Sequence, residues 1–291
     1  MKVAGNRVSV RREQGFEVYE LSNQELALAV VPELGAKLIS LRNRRTDREW
    51  MWHPPDGLKF FRNQSGDAFF KSPLAGMDEC LPTIEPCVWN GRKLPDHGEV
   101  WSVPWRVNKD MWANGILKTE VDLALSPFQF ERTLELQGNE IQLSYELTNH
   151  GAQDESFLWS LHPLLQLQAG DALDLPESTR ALANDNLWTE AMDLNLTEGT
   201  CAKMFAGPLS DGVAGIVNRQ SGDRLAFEWT PAENDTLGLW ITRGGWHGHH
   251  HLALEPTNAD TDALTIAAER GRCGVVRAES SVTWQLKITV G

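Results

Sequence analysis

The sequence predicts an all-β protein, folded as a large antiparallel β-sandwich, and three observations support this prediction. Apolar and polar residues alternate with a period of two over many short segments, as in strands with one buried face. Gly, Pro and Asn turns separate these segments, and only Asp262–Arg270 carries a weak helical pattern. The chain of 291 residues, 41% of them hydrophobic, fits one large sandwich, so we expect a single domain over 1–291.

The alternation predicts strands along most of the chain. The clearest run covers 116–148, where turns at Pro127 and at Gly138-Asn139 divide a meander of at least three antiparallel strands. Between 54 and 104 the chain is instead rich in Pro, Gly, Asp and Trp and alternates little, and such a long irregular segment inside a domain is usually functional. Further strands are expected at 16–21, 25–30, 38–41, 156–167, 213–218, 224–229, 237–242, 251–255 and 282–290.

Composition argues against several classes of function. The formal net charge of -13 disfavours nucleic acids and anionic membranes, because phosphates bind to clustered Lys and Arg. No apolar stretch approaches the roughly 20 residues that cross a bilayer. Residues 1–14 lack the apolar core of a signal peptide, and the four cysteines form no C-x-x-C pair. We therefore expect a cytoplasmic monomer or homodimer whose partner is a small molecule.

Tryptophan is unusually common, with 12 residues against 2 tyrosines. The flat apolar face of an indole suits stacking against the C–H face of a pyranose ring, although most of these residues are expected in the core. Four of them flank the polar motifs described next and are candidate sugar contacts: Trp101, Trp159, Trp240 and Trp246.

Polar residues concentrate in four short stretches, 75–83, 94–101, 159–165 and 244–257. Near the end of the last stretch, Glu255 follows an apolar strand and precedes a proline. It is either a partly desolvated carboxylate suited to act as a base or a strand-end glutamate that pairs with an arginine.

Two histidines are candidates to act with this carboxylate. His162 lies in a strongly apolar run, where a core histidine is the commoner role. His97 lies in a loop beside Asp96 and Glu99, and neighbouring carboxylates can fix the tautomer of an imidazole and raise its pKa.

Taken together and in this order, the four stretches resemble the aldose 1-epimerase family, also called galactose mutarotases, and especially its divergent bacterial branch. Gly76–Thr83 with Asp96–Trp101 is similar to the paired loop motifs of that branch. His162-Pro163 resembles the second histidine of the family, on a central strand, and Leu254–Pro256 resembles its catalytic glutamate. The resemblance spans nearly the whole chain.

The resemblance implies a galactose mutarotase-like sandwich with an open sugar-binding face and an isomerase reaction that uses neither metal nor cofactor. Glu255 would take the proton of the anomeric hydroxyl, His162 would protonate the ring oxygen, and His97 would hydrogen-bond the sugar near that oxygen. The ring would open, C1 would rotate, and closure on the other face would give the other anomer. One base and one acid suffice, because mutarotation is already spontaneous in water.

The sequence departs from the better-known members where they bind the sugar. The arginine-containing loop that usually precedes the first histidine motif is not found, and the aspartate that usually binds sugar hydroxyls is not identified. The candidate substrate contacts are therefore Asp78, Glu79, Trp101, Trp159, Trp240 and Arg243.

A metal site is an alternative interpretation of the last stretch. On a continuous strand, His247, His249, His251 and Glu255 would project from one face and could bind Zn²⁺. Gly248 interrupts that strand, and the family resemblance implies no metal, so we favour a metal-free site.

Two further alternatives concern the substrate and the activity. A hexose-6-phosphate epimerase would need clustered arginines over the phosphate, and the grouped arginines of 42–48 are expected instead on a solvated turn, so we favour a neutral sugar. A carbohydrate-binding protein without activity is also possible on the same fold. His97, His162 and Glu255 together favour catalysis, since a binding protein needs no matched acid and base.

Overall fold

A computed structural model describes residues 5–64, 66–182, 185–192, 194, 196–232 and 234–291. Two large antiparallel sheets of nine and eight strands form the body, and two small two-stranded sheets accompany them. Their facing sides share one hydrophobic core, to which the first sheet contributes Leu38 and Leu254 and the second Leu134 and Phe227. The all-β sandwich expected from the alternation is confirmed.

The strands follow one another along the chain with few helices between them. The first eleven are β1 (Arg7–Glu13), β2 (Phe16–Ser22), β3 (Leu26–Val31), β4 (Lys37–Asn43), β5 (Met77–Cys80), β6 (Cys87–Trp89), β7 (Arg92–Leu94), β8 (Arg106–Val107), β9 (Ile116–Asp122), β10 (Phe128–Gln137) and β11 (Glu140–Asn149). The other ten are β12 (Glu155–Phe157), β13 (Ser160–Leu165), β14 (Asp171–Asp174), β15 (Thr200–Ala206), β16 (Gly212–Asn218), β17 (Arg224–Trp229), β18 (Thr236–Arg243), β19 (His250–Thr257), β20 (Gly274–Val276) and β21 (Ser280–Val290).

The order of the strands brings distant parts of the chain together. The nine-stranded sheet has the order β1-β2-β3-β4-β5-β13-β19-β18-β15, and the eight-stranded sheet has the order β14-β16-β17-β21-β11-β10-β9-β8. The meander predicted over 116–148 is confirmed, because β9, β10 and β11 are neighbours in the second sheet. In the first sheet, strands from both halves of the chain meet at β5, β13 and β19.

Among the residues that the structure describes, three α-helices connect strands: α1 (Lys109–Ala113), α2 (Asp185–Met192) and α3 (Leu264–Glu269). Only α3 was expected, within 262–270. Single 3₁₀ turns cover Pro32–Leu34 and Phe69–Lys71. Within the described parts of the chain, no helix is long and apolar enough to cross a membrane.

Three strands of the first sheet escaped the sequence analysis for different physical reasons. All residues of β1 are exposed or half-buried, and only Val8 and Val10 alternate with polar residues along this edge strand, which is too short a pattern to predict it. Every residue of β5 is buried, and its Asp78-Glu79 pair gives it the composition of a loop. The alternation of β15 is masked by Lys203, a lysine among small and apolar residues.

Alternation within β13, β18 and β19 separates two faces of the nine-stranded sheet. Leu161, Leu239 and Leu254 point inward and belong to the core shared with the other sheet. His162 and Glu255 project from the opposite, outer face. Parts of the segment 54–104, the longest irregular stretch of the sequence, lie against this outer face. They line the same space as His162 and Glu255.

A buried charge network links the two sheets on the inner side. The carboxylate of Glu79 accepts hydrogen bonds from Arg132 Nη1 at 3.0 Å, from Tyr145 Oη at 3.0 Å and from Trp159 Nε1 at 2.9 Å. Both Glu79 and Arg132 are almost fully screened from solvent. Burial raises the pKa of Glu79, and the Arg132 guanidinium opposes that rise.

We predict that Arg132→Met lowers the free energy of unfolding by about 3–5 kcal/mol, because it leaves a buried carboxylate without its counter-charge. Urea denaturation at pH 7 measures the change. The matched control is Arg106→Met, which removes an exposed guanidinium from Glu120 and Asp122 and should cost at most about 1 kcal/mol. Equal effects of the two substitutions would contradict the assigned role of Arg132.

Candidate active site

A cavity of about 280 Å³ opens on the outer face of the nine-stranded sheet. This volume lies just below the range of about 300–1,000 Å³ of typical small-molecule sites, so the cavity suits a single small ligand. Its aromatic walls are Phe69, Phe70, Trp240 and Trp246. Its titratable groups are Asp96, His97, His162, Lys203, His251, Glu255 and Asp262.

The register of two central strands places His162 and Glu255 side by side. β13 and β19 pair at Ser160–Thr257 and again at Leu164–Ala253. In this antiparallel register, His162 and Glu255 lie midway between the two pairs and opposite each other. No pairs join the strands between these points. Each of the two residues is followed by a proline, which has no N–H to donate, and this accounts for the opening in the ladder.

The two side chains form a close acid–base pair at the floor of the cavity. His162 Nε2 lies 3.8 Å from Glu255 Oε1, and both residues are buried. Glu255 Oε1 and His162 Nδ1 have no hydrogen-bond partner within the described parts of the chain. Unsatisfied buried polar atoms are costly, so a polar ligand that reached Glu255 Oε1 from the cavity would gain a hydrogen bond that the protein does not supply.

Burial shifts the two groups toward their neutral forms. It raises the pKa of Glu255, while the Lys203 ammonium acts in the opposite direction. It lowers the pKa of His162 well below its ordinary value, and the charges of His97 and Lys203 lower it further. The imidazole is therefore neutral near pH 7, with Nε2 facing the carboxylate as the preferred site of its hydrogen.

Lys203 and Asp262 extend the pair, and neither residue lies in the four polar stretches from which candidates were drawn. Lys203 forms an ion pair with Glu255 Oε2, and its Nζ lies 3.4 Å from Asp262 Oδ1. Although burial alone would lower the pKa of Lys203, the two carboxylates raise it above the ordinary value, so the side chain is an ammonium. The site thus holds a compact arrangement of one cation, two carboxylates and one imidazole.

A strained turn presents His97 to the cavity. The residue has a positive φ of 59°, and a Cβ on the following Gly98 would lie 2.1 Å from Leu81 O, so the turn requires glycine there. Asp96 accepts a hydrogen bond from His97 Nδ1 at 2.7 Å. Although burial opposes it, this contact lowers the pKa of Asp96, and it directs Nε2 of the imidazole away from Asp96.

Aromatic rings hold the two histidines in place. The Phe69 ring stacks on His97 at 4.0 Å between centroids and meets His162 edge-on at 5.2 Å. The imidazoles of His97 and His162 lie 5.1 Å apart in a T-shaped arrangement. Three residues that are separated by 28 and 65 positions along the sequence are therefore held as one unit.

The predicted contact Trp240 does line the cavity, beside a histidine that the sequence analysis had considered only as a metal ligand. Its Nε1 donates to His251 Nε2 at 3.3 Å. Burial and the neighbouring His249 and His250 lower the pKa of His251 to about 3, so this imidazole is a neutral acceptor.

Asp78 and Glu79 do not line the cavity, and the expectation that both contact substrate is corrected. Successive residues of β5 face opposite sides of the sheet, so Glu79 points inward into the Arg132 network. Asp78 lies opposite His162 on β5, but it is fully buried and forms an ion pair with Lys37.

Three other candidate contacts also lie elsewhere. Trp159 is buried in the core and donates to Glu79. Trp101 is buried beneath the His97 turn, where its Nε1 donates to Asp96 O at 2.8 Å, so it supports the site from behind. Arg243, at the end of β18, lines a separate cavity that includes Gln168.

The alternative metal site receives no support from the geometry. Strand β19 begins only at His250, so His247 and His249 lie in the preceding turn, where His247 stacks on Phe70. The imidazole centroids of His249 and His251 are 6.2 Å apart. Among the residues that the structure describes, no three His, Cys, Asp or Glu side chains form a metal-ligand group.

The grouped arginines do not form a phosphate site at the cavity. Arg42 pairs with Asp47 on the turn after β4, as expected of a solvated turn. Arg48 is instead buried, where it pairs with Asp171 at 2.7 Å and stacks over Trp50. Neither side chain lines the cavity.

Comparison with known proteins assigns the family. The family model described as aldose 1-epimerase matches residues 17–202, more than half of the chain. The chain belongs to the aldose 1-epimerase family. A search of curated proteins finds no match to this chain.

Solved structures agree with this membership at the level of the fold. A candidate aldose 1-epimerase from Klebsiella pneumoniae superposes with a TM-score of 0.75 at 16% identity, over 98% of this chain and 82% of the other. A galactose mutarotase-like protein from Clostridium acetobutylicum gives 0.74 at 11% identity, over 99% of each chain. The Slr1438 protein from Synechocystis gives 0.71 at 17% identity, over 100% of this chain and 98% of the other.

We predict that His162 is neutral at pH 6.5 in the folded protein and carries its hydrogen on Nε2, since burial and nearby positive charges disfavour the imidazolium. Long-range ¹H–¹⁵N correlation spectra report both properties, and His162→Gln assigns the signal. The urea-unfolded chain is the reference, in which the residue should titrate near its ordinary pKa of about 6.5. An imidazolium signal from folded protein at pH 6.5 would refute the prediction.

Proposed function

We propose that this protein interconverts the α and β anomers of a free, neutral aldose. The observation that carries the proposal is the contact of His162 Nε2 with Glu255 Oε1, 3.8 Å apart at the floor of a cavity sized for one small ligand. The anomeric hydroxyl and the ring oxygen are bonded to the same carbon, so a base and an acid that lie this close together can act on both oxygens of one sugar. Family membership and fold support the assignment.

In the proposed mechanism the reactive pair holds one proton. Glu255 accepts the proton of the anomeric hydroxyl while the protonated His162 donates from Nε2 to the ring oxygen, and the C1–O5 bond breaks to give the open aldehyde. The proton has then moved, through the sugar, from the imidazole to the carboxylate. Rotation about C1–C2 and closure on the other face reverse both transfers and restore the pair.

The remaining residues of the cavity would bind and orient the sugar. His97, fixed by Asp96 and Phe69, is placed beside His162 to hydrogen-bond the sugar near its ring oxygen. Trp240 and Trp246 offer apolar surface to the C–H face of the ring. Asp262 supplies a carboxylate for sugar hydroxyls.

The charges of the cavity favour a neutral substrate. Three carboxylates line it, those of Asp96, Glu255 and Asp262, and Lys203 is already paired with two of them. A phosphosugar would bring additional negative charge without an arginine to receive it. A cytoplasmic location and a monomeric or homodimeric state stay predictions from the sequence.

We predict that Glu255→Gln slows enzyme-dependent anomer exchange by about 10²–10⁴-fold, because the amide cannot accept a proton. Saturation-transfer NMR on a panel of neutral aldoses measures exchange directly, and the same spectra report sugar binding. The matched control, Glu228→Gln, alters a half-buried carboxylate on the other sheet, paired with Lys287, and should leave the rate unchanged.

Two results would count against the proposal. Full activity of the Glu255→Gln variant would remove Glu255 from the mechanism. Binding without accelerated exchange for every sugar tested with the unmodified protein would favour the carbohydrate-binding alternative.

We also predict a bell-shaped pH dependence of kcat/KM, limited on both sides by the titration of the Glu255–His162 pair. Activity falls above the raised pKa of Glu255, because the pair then has no proton to donate. It falls below the lowered pKa of His162, because Glu255 is then protonated and cannot accept one. Exchange rates corrected for the spontaneous reaction measure the profile. A plateau at alkaline pH would show that protonated His162 is not required.

A further inference from the structure

Lys203 reaches Glu255 across an intervening strand. Lys203 lies on β15 and Glu255 on β19, and β18 separates these two strands in the sheet. The register pairs Lys203 with Trp240 and pairs Glu255 with Gly238, two residues along β18. The lysine side chain therefore crosses β18 diagonally on the outer face to form its ion pair with Oε2.

Gly238 makes this crossing possible. A Cβ at that position would lie 3.2 Å from Glu255 Oε2, closer than most Cβ contacts, and 3.5 Å from Lys203 Nζ, in van der Waals contact, so a side chain would crowd the carboxylate and fill the space beside the ammonium. The backbone of Gly238 does not have a positive φ, so its conformation does not demand glycine. Glycine at this position instead leaves space for the contact between Lys203 and Glu255.

The position of Lys203 lets one charge act on both members of the acid–base pair. It contacts Oε2 of Glu255, whose other oxygen faces His162. Its charge opposes protonation of the carboxylate and also of the imidazole. The other charged or titratable groups that face the pair or the lysine are Lys37, Asp78, Cys80, His97, His251 and Asp262.

Among these groups, Lys203 has the most direct contact with the pair. Lys37 is already neutralised by Asp78, and the His97 imidazole is held by Asp96. Asp262 contacts Lys203 and fixes its Nζ between two carboxylates. A hydrophobic replacement at 203 would leave the buried Glu255 without a counter-charge, which favours its protonated form.

We propose that Lys203 is a positioning residue that sets the pH range over which Glu255 and His162 share one proton. The inference rests on the proposed anomer exchange and adds to it a residue outside the motifs that resemble the family. Because the ammonium is closer to the carboxylate than to the imidazole, it opposes protonation of Glu255 more strongly than that of His162. It therefore raises the fraction of pairs in which His162 carries the shared proton, while the neutral imidazole remains the main form in the free protein. Ring opening begins from the form in which His162 carries that proton.

The test compares the pH profiles of the unmodified protein, Lys203→Met and Lys203→Arg. Lys203→Met should move both limbs of the bell to higher pH and lower kcat at the original optimum by about tenfold or more, with a much smaller change in KM. Lys203→Arg, which keeps the charge, should keep the limbs near their original positions. The control Lys287→Met removes a lysine held between Glu140 and Glu228 on the other sheet and should change neither limb.

A second measurement needs no sugar and separates failure of this inference from failure of the proposed function. Carboxyl ¹³C NMR of glutamate-labelled protein follows the titration of Glu255 directly, with Glu255→Gln assigning the signal. The apparent pKa should rise in Lys203→Met and return toward its original value in Lys203→Arg. An unchanged titration of Glu255 in folded Lys203→Met would overturn the inference, whether or not any aldose is a substrate.

Discussion

Charge buried in the middle of the nine-stranded sheet is the constraint on which the rest of the structure depends. A buried carboxylate is costly unless a cation neutralises it, and β5 and β19 carry three of them. Asp78 is paired with Lys37, Glu79 with Arg132 and Glu255 with Lys203, and each cation comes from a different strand. The pairs join two neighbouring strands, two strands on either side of a third, and the two facing sheets, so a shift of one strand would separate a buried carboxylate from the cation paired with it.

The third pair differs from the other two because it stands where the sheet ladder opens. Pro163 on β13 and Pro256 on β19 provide no N–H groups, and the two strands make no pairs between Ser160–Thr257 and Leu164–Ala253. His162 and Glu255 occupy the opening on its outer face. The prolines that interrupt the hydrogen bonding therefore create the place where an imidazole and a carboxylate can meet a ligand from one side.

Much of this arrangement could be predicted from the sequence, and what could not has identifiable causes. The period-two alternation of apolar and polar residues predicts the β-sandwich. The His-Pro and Glu-Pro motifs indicate the reactive pair of His162 and Glu255. Asp78 and Glu79 could have been separated, since adjacent residues on a strand face opposite sides. Lys203 could not have been found, because its role depends on β18 lying between β15 and β19, and no local pattern reports that order.

Mutarotation already proceeds spontaneously in water, so an enzyme needs only a modest acceleration. This explains why a site with one base and one acid can suffice. No covalent nucleophile is needed, so the site must only bring one base and one acid to two oxygens of the same carbon and match their proton affinities. Burial alone favours the neutral form of both groups, so it raises the pKa of the carboxylate and lowers that of the imidazole. The two pKa values are thereby brought together, and one proton can pass between the groups at little cost in free energy. Burial alone would also leave that proton on the carboxylate. A cation beside Glu255 and farther from His162 reduces this bias, and the absence of a side chain at Gly238 leaves room for that cation.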